Sequence, residues 1–363
     1  MKIVWFTSRS FDDLCSTTQL NVAEQLEKAG LNLTMVNPDF SKLVGEYHWK
    51  HVPLSIRSRK GLNGYKCGKA MKRYFEHNSN YDLAIVDWKV SIYLINMLES
   101  KKIRWILMDR SPPADGGFFA KLQRLVWKKS WSRVRKNAHG MGCVVSQKHA
   151  RYISEIFGIN SEKLIILPVG VNLQLFLHGE KTLPLKLVYH GKLDKNRGIM
   201  TILQIFAKLS KDYPELQLHL HGDGDLYQKI STMDIKNIYL TKSISQLELS
   251  EKLATYDIGF LPMPKKKIWE ISSPLKLSEY IASGMIIFGI NHAGHYLPNS
   301  ESFISLFEGE KFIENTVSAI SSLEIDDLRV LQSKSRIYAE NNLNWEIACK
   351  ELINMLLKPN FLE

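Results

Sequence analysis

Residues 272–287 have the sequence Ser-Ser-Pro-Leu-Lys-Leu-Ser-Glu-Tyr-Ile-Ala-Ser-Gly-Met-Ile-Ile. This stretch is the starting point for predicting the fold of the chain. Apolar residues at helical spacing lie between a Ser-Pro pair and a glycine, and a second apolar run follows at once. This order predicts a short helix with Ser273 at the N-cap, Pro274 at the first helical position and Gly284 just past the end. The stretch therefore indicates a helix that leads into a buried strand, as in α/β proteins.

The start of this predicted helix has the chemistry of an anion site. The backbone N–H groups of Leu275 and Lys276 have no acceptor within the helix and lie at the positive end of its dipole. Glu279 lies on the same face as Leu275, one turn further, where a carboxylate can accept from two neighbouring hydroxyl groups. A nucleotide offers both a diphosphate and a diol, although an ordinary capped helix explains the same residues.

Length and composition indicate a large α/β protein. With 363 residues, 45% of them hydrophobic, the chain is long enough for two domains. Its four cysteines, Cys15, Cys67, Cys143 and Cys349, show no metal-ligand spacing and fit a reducing compartment. No signal peptide and no apolar stretch of about 18 residues is present, so we expect a cytoplasmic protein, with a peripheral position on the inner face of a membrane left open.

The positive charge is confined to the first half. Residues 1–175 hold 27 Lys and Arg against 14 Asp and Glu, whereas residues 176–363 hold 21 against 23. A basic face can meet nucleic acid, an anionic membrane or an acidic acceptor. No nucleic-acid-binding motif accompanies it, so we expect no nucleic-acid partner.

Strand-like and helical segments alternate through both halves. The predicted strands are residues 2–7, 31–36, 83–86, 103–108, 142–145 and 164–167, and then 186–189, 216–220, 237–240, 258–261 and 285–290. This alternation predicts two parallel sheets covered by helices. We predict domains at residues 1–172 and 185–343, with a final helical segment at 344–363 that packs back across the join.

Ligands of such sheets bind beyond the carboxyl ends of the strands, where two loops are chemically rich. Lys192 and Arg197 lie in one glycine-bracketed loop and can converge on a small anion, although solvated surface cations are an equal alternative. The loop at 222–224, Gly-Asp-Gly, lacks the third glycine of a dinucleotide fingerprint. His219 and His221 have no acidic or cysteine partner nearby and are better explained as core residues than as metal ligands.

Five segments together resemble a known family. Residues 168–172, 189–198, 222–224, 256–262 and 273–284 occur in the order and spacing of retaining glycosyltransferases of the GT-B fold. The chain is most similar to their family 4, strongly over residues 160–295 and more weakly before. The resemblance implies an α/β GT-B fold: two Rossmann-like, doubly wound domains face a cleft, and a C-terminal helix crosses back to the N-terminal domain.

The resemblance also implies roles for individual residues. A nucleotide-sugar donor would bind to the C-terminal half and a glycan or lipid-linked acceptor to the N-terminal half, with no metal and no further cofactor. Lys192 and Arg197 match the cations that hold the donor diphosphate, and Glu279 matches the residue that binds the donor ribose. The implied donor-binding residues are Gly191, Gly222, Gly224, Ser272, Ser273, Pro274, Leu275, Lys276 and Glu279.

The chain departs from the family pattern at two positions. Ile271 stands where many relatives have a second Glu, eight residues before Glu279. After the strand at 103–108, Asp109 stands where relatives have a His. Asp109 is therefore a candidate catalytic residue, as a donor-sugar contact or weak base, with pairing to Arg110 or capping of the next turn as the alternative.

A basic helix with Leu, Val and Trp is predicted at residues 121–136. Such helices lie well in the interface of anionic membranes, but a core-packed helix with a solvated basic face fits equally. A second basic cluster contains Arg57, Arg59, Lys60, Lys66, Lys69, Lys72 and Arg73. Two other functions stay open: a nucleotide-sugar epimerase of the same fold, and a non-catalytic basic protein that binds membrane or nucleic acid.

Overall fold

The computed structural model describes residues 1–11, 17–38, 47–56, 63–113, 118–359 and 361, with residues 118–120 described in backbone only. The chain forms two compact units, each with its own hydrophobic core. Unit 1 comprises Met1–Pro168 with Ala348–Glu363, and unit 2 comprises Val169–Ile347. In the described part of the chain, no helix is both long and apolar enough to cross a bilayer.

Unit 1 is a parallel sheet with helices in the connections. Its strands are β1 (Lys2–Phe6), β2 (Asn32–Asn37), β3 (Lys50–Pro53), β4 (Leu83–Asp87), β5 (Arg104–Met108), β6 (Gly140–Val144) and β7 (Leu164–Ile166). Its helices are α1 (Thr17–Lys28), α2 (Asn63–His77), α3 (Trp88–Ser100), α4 (Phe118–Lys136) and α5 (Gln147–Phe157). The strand order is β3-β2-β1-β4-β5-β6-β7. The central strands β1 and β4 are almost wholly buried, as expected of a sheet covered on both faces.

Unit 2 repeats this architecture. Its strands are β8 (Lys186–His190), β9 (Gln217–His221), β10 (Ile238–Thr241), β11 (Ile258–Leu261), β12 (Ile286–Ile290) and β13 (Ile304–Phe307), in the order β10-β9-β8-β11-β12-β13. The helices are α6 (Ile199–Asp212), α7 (Tyr227–Ser231), α8 (Gln246–Leu253), α9 (Lys267–Glu270), α10 (Leu275–Ala282), α11 (Phe312–Ser321), α12 (Ile325–Asn342) and α13 (Trp345–Leu356). Residues from Ala348 onward in α13 count with unit 1.

The alternation of strands and helices in the sequence correctly predicted the α/β class. Every predicted strand is present, and that at Ile258–Leu261 has the predicted bounds. The prediction missed β3 and β13, which are four-residue edge strands. Edge strands are short and, like β3 with its Lys and Pro, often carry charge or proline, so they lack the long apolar run that identifies a central strand.

Each sheet has one point where its strand order reverses direction. In unit 1 this point lies between β1 and β4, and in unit 2 it lies between β8 and β11. The loops that leave the two strands at such a point run to opposite faces of the sheet, so a crevice opens between them. The topology therefore provides each unit with one natural ligand position.

Two glycines allow the loops after β8 and β9 to touch at this edge in unit 2. Gly191 has φ +117° and Gly222 has φ +151°. A Cβ atom on Gly222 would collide with the backbone carbonyl of Gly191. Their N–H groups extend the hydrogen bonding between the parallel strands. Gly191 N–H donates to the His221 carbonyl at 2.8 Å, and Gly222 N–H donates to the Thr241 carbonyl at 2.9 Å. Glycine here serves backbone-to-backbone packing, which fixes both loops.

We expect Gly222→Ala to lower the free energy of unfolding by about 3 kcal/mol or more, because the new methyl group meets fixed backbone as well as an unfavourable φ. The matched control is Gly158→Ala, at φ +62° with no atom near the added Cβ. The control should lose only about 1 kcal/mol, which is the cost of the left-handed conformation alone. Equal losses in denaturant unfolding would show that the close approach of the two loops contributes nothing.

Candidate functional site

The loops after β8 and β9 are tied together by hydrogen bonds. Leu193 N–H donates to the Asp223 carbonyl at 2.9 Å, and Leu226 N–H donates to the Leu193 carbonyl at 3.0 Å. Gly224 packs against the other loop so closely that a Cβ there would lie 2.6 Å from Asp194 Oδ1. The predicted glycine-bracketed loop is thus a rigid support for the cations it carries.

Helix α10 follows the third loop of this edge and begins one residue later than predicted. Leu275 is its first residue, and Pro274 occupies the N-cap with φ −74° and ψ 122°. Because that ψ is extended, Pro274 is outside the helix and Ser273 is not the capping residue. The Ser272 hydroxyl donates instead to the Trp269 carbonyl at 2.7 Å.

The predicted free donors are present at the start of α10. Leu277 N–H donates to the Pro274 carbonyl at 3.1 Å. Among the described residues, none accepts a hydrogen bond from the N–H of Leu275 or Lys276. The helix start therefore offers two backbone donors to an anion.

The Lys276 side chain is buried beneath the loop that follows β8. Its Nζ lies 3.9 Å from the centroid of the Tyr189 ring, a cation–π contact. A Cβ on Gly191 would lie 3.1 Å from the same Nζ. Burial, and to a smaller extent the charge of Arg197, lower the pKa of Lys276 to about 7, whereas Glu279 opposes the shift. No described carboxylate forms an ion pair with this ammonium group.

Arg197 provides the second cation of the site. Its guanidinium stacks on Trp269, with Cζ 4.4 Å from the ring centroid. Its Nε is buried and has no hydrogen-bond partner among the described residues. A buried N–H group without an acceptor costs free energy, so an anion that accepts a hydrogen bond from Arg197 Nε would stabilise the site.

Glu279 lies one turn into α10, where its side chain is buried. Its Oε2 is 3.1 Å from His190 Nε2, but the two atoms are not aligned as a hydrogen bond. Tyr280 anchors the helix beneath β8, because His190 N–H donates to its hydroxyl oxygen at 3.1 Å. Glu279 is therefore held in place with an oxygen that can accept hydrogen bonds from a ligand.

The structure brings together Arg197, Lys276 and Glu279, but not the side chain of Lys192. Lys192 is exposed, and its side chain makes no ion pair or hydrogen bond with the residues described here, while its carbonyl accepts from the Tyr189 hydroxyl at 3.1 Å. The sequence pattern predicts a role for the backbone N–H of Lys276 but not for its side chain. It also missed Tyr189 and Trp269, which hold the two cations, because ring contacts between distant segments leave no local pattern.

Asp109 does not lie where a ligand can reach it, which corrects its assignment as a catalytic residue. Its carboxylate is fully buried in unit 1, and Oδ2 accepts from the indole N–H groups of Trp127 and Trp131, the latter at 2.8 Å. His149 Nε2 lies 3.6 Å from the same oxygen. The alternative of an Arg110 partner is also wrong, since Arg110 donates to the Leu167 carbonyl.

The two histidines of β9 are engaged by neighbouring side chains. His221 contacts the hydroxyl groups of Thr241 at 2.6 Å and Tyr256 at 2.9 Å. His219 stacks between Tyr239 and Tyr256. Burial lowers the pKa of His221 to about 3, so its ring is neutral at pH 7. The interpretation as a core residue is confirmed for His221, whereas His219 is half-buried.

Comparison with solved structures places both units within one fold. No protein-family model and no curated protein matches the sequence. Sucrose-phosphate synthase from Thermosynechococcus elongatus superposes with a TM-score of 0.76 at 17% identity, covering 98% of each chain. HepE from Anabaena, solved with UDP and glucose, gives a TM-score of 0.74 at 11% identity, over 99% of this chain and 100% of that one. WaaG, a glycosyltransferase of lipopolysaccharide biosynthesis, gives 0.72 at 10% identity, over 99% and 100%. The chain therefore has the GT-B fold, as the sequence predicted.

The lowered pKa of Lys276 makes the stability of unit 2 depend on pH. An unfolded lysine titrates near 10.4, so between pH 7 and pH 10 the unfolded chain binds a proton that the folded chain lacks, and stability rises with pH. We expect Lys276→Met to be more stable than the wild type at pH 6–7, and this advantage should shrink as the pH approaches 10. Denaturant unfolding of both proteins across this range measures the difference, and a constant difference would show that Lys276 has an ordinary pKa.

Proposed function

We propose that this protein is a retaining glycosyltransferase that transfers a hexose from a nucleotide-sugar donor to a glycan, a lipid-linked sugar or a polysaccharide precursor. One observation carries the proposal. Two cations, Lys276 and Arg197, are held by aromatic rings beside the free N–H groups of α10, and Glu279 lies one turn away. This arrangement suits a diphosphate next to a ribose diol.

The donor that we propose first is a UDP-sugar. Structures of HepE contain UDP with glucose and UDP-glucose, and that protein shares the fold of this chain. In this chain, Arg197 and Lys276 would hold the diphosphate, and Glu279 would accept hydrogen bonds from the ribose. Lys192 remains a predicted diphosphate ligand, because its exposed side chain is long and can reach a bound donor.

The chemistry needs charge stabilisation more than it needs a nucleophile. Breaking the bond between the sugar and the diphosphate places negative charge on the leaving phosphate, which preplaced cations and N–H groups stabilise. The acceptor hydroxyl attacks on the face that the phosphate leaves, and a phosphate oxygen takes its proton, so the anomeric configuration is retained. We propose that these cations replace a metal ion in this step.

The acceptor of this proposed reaction would bind to unit 1, at a membrane surface. Helix α4 does not present its tryptophans to lipid as the sequence analysis considered, because Trp127 and Trp131 are buried and donate to Asp109. Its outer face carries Leu122, 50% exposed, and Leu125, 64% exposed. Four exposed cations surround them: Lys121, Arg124, Lys128 and Lys129. Of the second basic cluster, Arg57, Arg59 and Lys60 lie outside the described residues.

We expect the purified protein to transfer hexose from a nucleotide-sugar and to be stabilised thermally by the matching nucleoside diphosphate. Arg197→Ala and Glu279→Ala should each lower kcat/KM by about a hundredfold or more, since each removes a charged contact to the donor. The matched control is Lys195→Ala, an exposed cation of the same loop, and it should retain activity.

Three results would contradict the proposed function. Full activity of both Arg197→Ala and Glu279→Ala would show that these two residues do not form the donor site. Conversion of the donor without any acceptor would indicate an epimerase, and failure of every nucleoside diphosphate to stabilise the protein would favour a non-catalytic basic protein.

We expect the protein to co-sediment with vesicles that contain anionic lipid, and Leu122→Gln with Leu125→Gln to reduce the bound fraction severalfold by removing apolar contact. Ile156→Gln, at a residue of α5 that is 46% exposed, is the control and should leave binding unchanged. Binding that is insensitive to the leucines or to lipid charge would contradict docking through α4.

A further inference from the structure

Helix α10 carries two oppositely charged residues at a spacing that allows them to pair. Lys276 and Glu279 are three residues apart, so they are neighbours on the surface of the helix. Both side chains are buried, and opposite charges attract more strongly inside a protein than at its surface, where water and salt screen them. The helix alone would therefore favour a direct ion pair between these two residues.

The structure shows a different arrangement. Among the described residues, no carboxylate oxygen lies within ion-pair distance of Lys276 Nζ, which lies 3.9 Å from the centroid of the Tyr189 ring. Glu279 Oε2 faces His190 Nε2 at 3.1 Å instead. Tyr189 and His190 are the last two residues of β8. The end of one strand thus contacts both charged side chains of α10.

His190 is fixed in a position from which it can hold Glu279. Its backbone N–H donates to the Tyr280 hydroxyl oxygen at 3.1 Å, and its ring packs edge-on against the Tyr280 ring, with the centroids 5.1 Å apart. His190 Nε2 and Glu279 Oε2 are both buried, and neither has a hydrogen-bond partner in the described part of the chain. At 3.1 Å, the two atoms need only a change of angle to form a hydrogen bond.

Three titratable groups beside Lys276 keep a constant charge from pH 7 to pH 10. Burial raises the pKa of Tyr189, so its hydroxyl group stays protonated. Burial lowers the pKa of His295 to about 3, so its ring stays neutral. The guanidinium group of Arg197 keeps its positive charge. A change in the titration of Lys276 within this range therefore reports on its contact with Glu279.

We propose that His190 is a positioning residue that keeps Glu279 from pairing with Lys276, so that each charged side chain can bind a different part of the ligand. With the two side chains apart, Lys276 can contact a diphosphate, and Glu279 can accept hydrogen bonds from hydroxyl groups. In a closed ion pair the two charges would satisfy each other, and a ligand would have to separate them before it could bind. The inference rests on the proposed function for the identity of the ligand, and it adds the residue that prepares the site.

The first test needs no ligand. Because the folded protein lowers the pKa of Lys276 to about 7, this residue makes wild-type stability rise from pH 7 to pH 10, and Lys276→Met lacks that part of the rise. In His190→Phe, Glu279 can pair with Lys276, which raises the pKa of this lysine and should at least halve its part of the rise. Denaturant unfolding at several pH values measures the rise, and a loss of stability that is equal at every pH does not affect it.

Three further variants show whether the effect depends on the carboxylate. His190→Gln should keep the wild-type rise, because its amide group can donate to Glu279. His190→Phe combined with Glu279→Gln should restore at least the wild-type rise, since no carboxylate remains to pair with the lysine. The matched control is His219→Phe, at a histidine that stacks between Tyr239 and Tyr256, and it should keep the wild-type rise.

The proposal is overturned if Lys276 contributes no rise in the wild type or if His190→Phe keeps the full wild-type rise. It is also overturned if His190→Phe with Glu279→Gln fails to restore the rise, or if His219→Phe lowers the rise as much as His190→Phe does.

The second test is calorimetric titration with UDP at pH 8, and with GDP and ADP if UDP does not bind. His190→Phe should bind the nucleotide at least tenfold more weakly than the wild type and take up fewer protons, because Lys276 is already protonated in the closed pair. In a Lys276→Met background, His190→Phe should change the affinity less than threefold, since no lysine is left to pair. Equal weakening in both backgrounds would show a purely structural role for His190 and overturn the proposal.

The two tests together distinguish this inference from the proposed function. A wild type that binds no nucleoside diphosphate, while His190→Phe still loses the rise of stability with pH, overturns the proposed function and supports the role of His190. Nucleotide binding by the wild type, together with an unchanged rise and unchanged affinity in His190→Phe, overturns this inference alone.

Discussion

The candidate site of unit 2 depends on two basic side chains, the buried Lys276 and the half-buried Arg197, that have no direct counter-ion among the described residues. Lys276 and Arg197 are held by the rings of Tyr189 and Trp269, and no described carboxylate forms an ion pair with either cation. Burying a charge is expensive unless it is paired. The fold maintains this arrangement because α10 is anchored beneath β8 through Tyr280. A bound dianion would offset this cost, so the burial of Lys276 favours the binding of an anion at this site.

Sheet topology explains why charged residues cluster at one edge of the sheet in each unit. In both units the strand order reverses once, and in both the residues after the two strands at that point are rich in charge. In unit 2 the cations approach a helix start, which suits a diphosphate. In unit 1, Arg9, Lys89 and Arg110 line a cavity of about 150 Å³ together with Asp87. The repeated architecture therefore gives each unit one charged edge at the point where its strand order reverses.

Local patterns in the sequence predicted the elements well and the side-chain contacts poorly. The central strands were found because each is a short apolar run between turn residues. The start of α10 was placed one residue early, because the extended ψ of Pro274 follows from its surroundings and not from its type. The orientation of α4 was left open, since its pattern does not show that two indole N–H groups reach Asp109. The burial of Lys276 likewise depends on Tyr189 and Gly191, which are more than eighty residues away in sequence.

The most direct test is the number of protons that the protein takes up when it binds UDP at pH 8. Calorimetry in buffers with different enthalpies of ionisation gives this number. Burial lowers the pKa of Lys276 to about 7, so most molecules of the free protein at pH 8 carry a neutral amine at this position. We expect the amine to take up a proton when a diphosphate binds beside it, because the negative charge raises its pKa. Uptake of about one proton in the wild type, and of none in Lys276→Met, is the predicted result. Binding of UDP to the wild type without proton uptake would contradict the claim that Lys276 contacts the bound diphosphate.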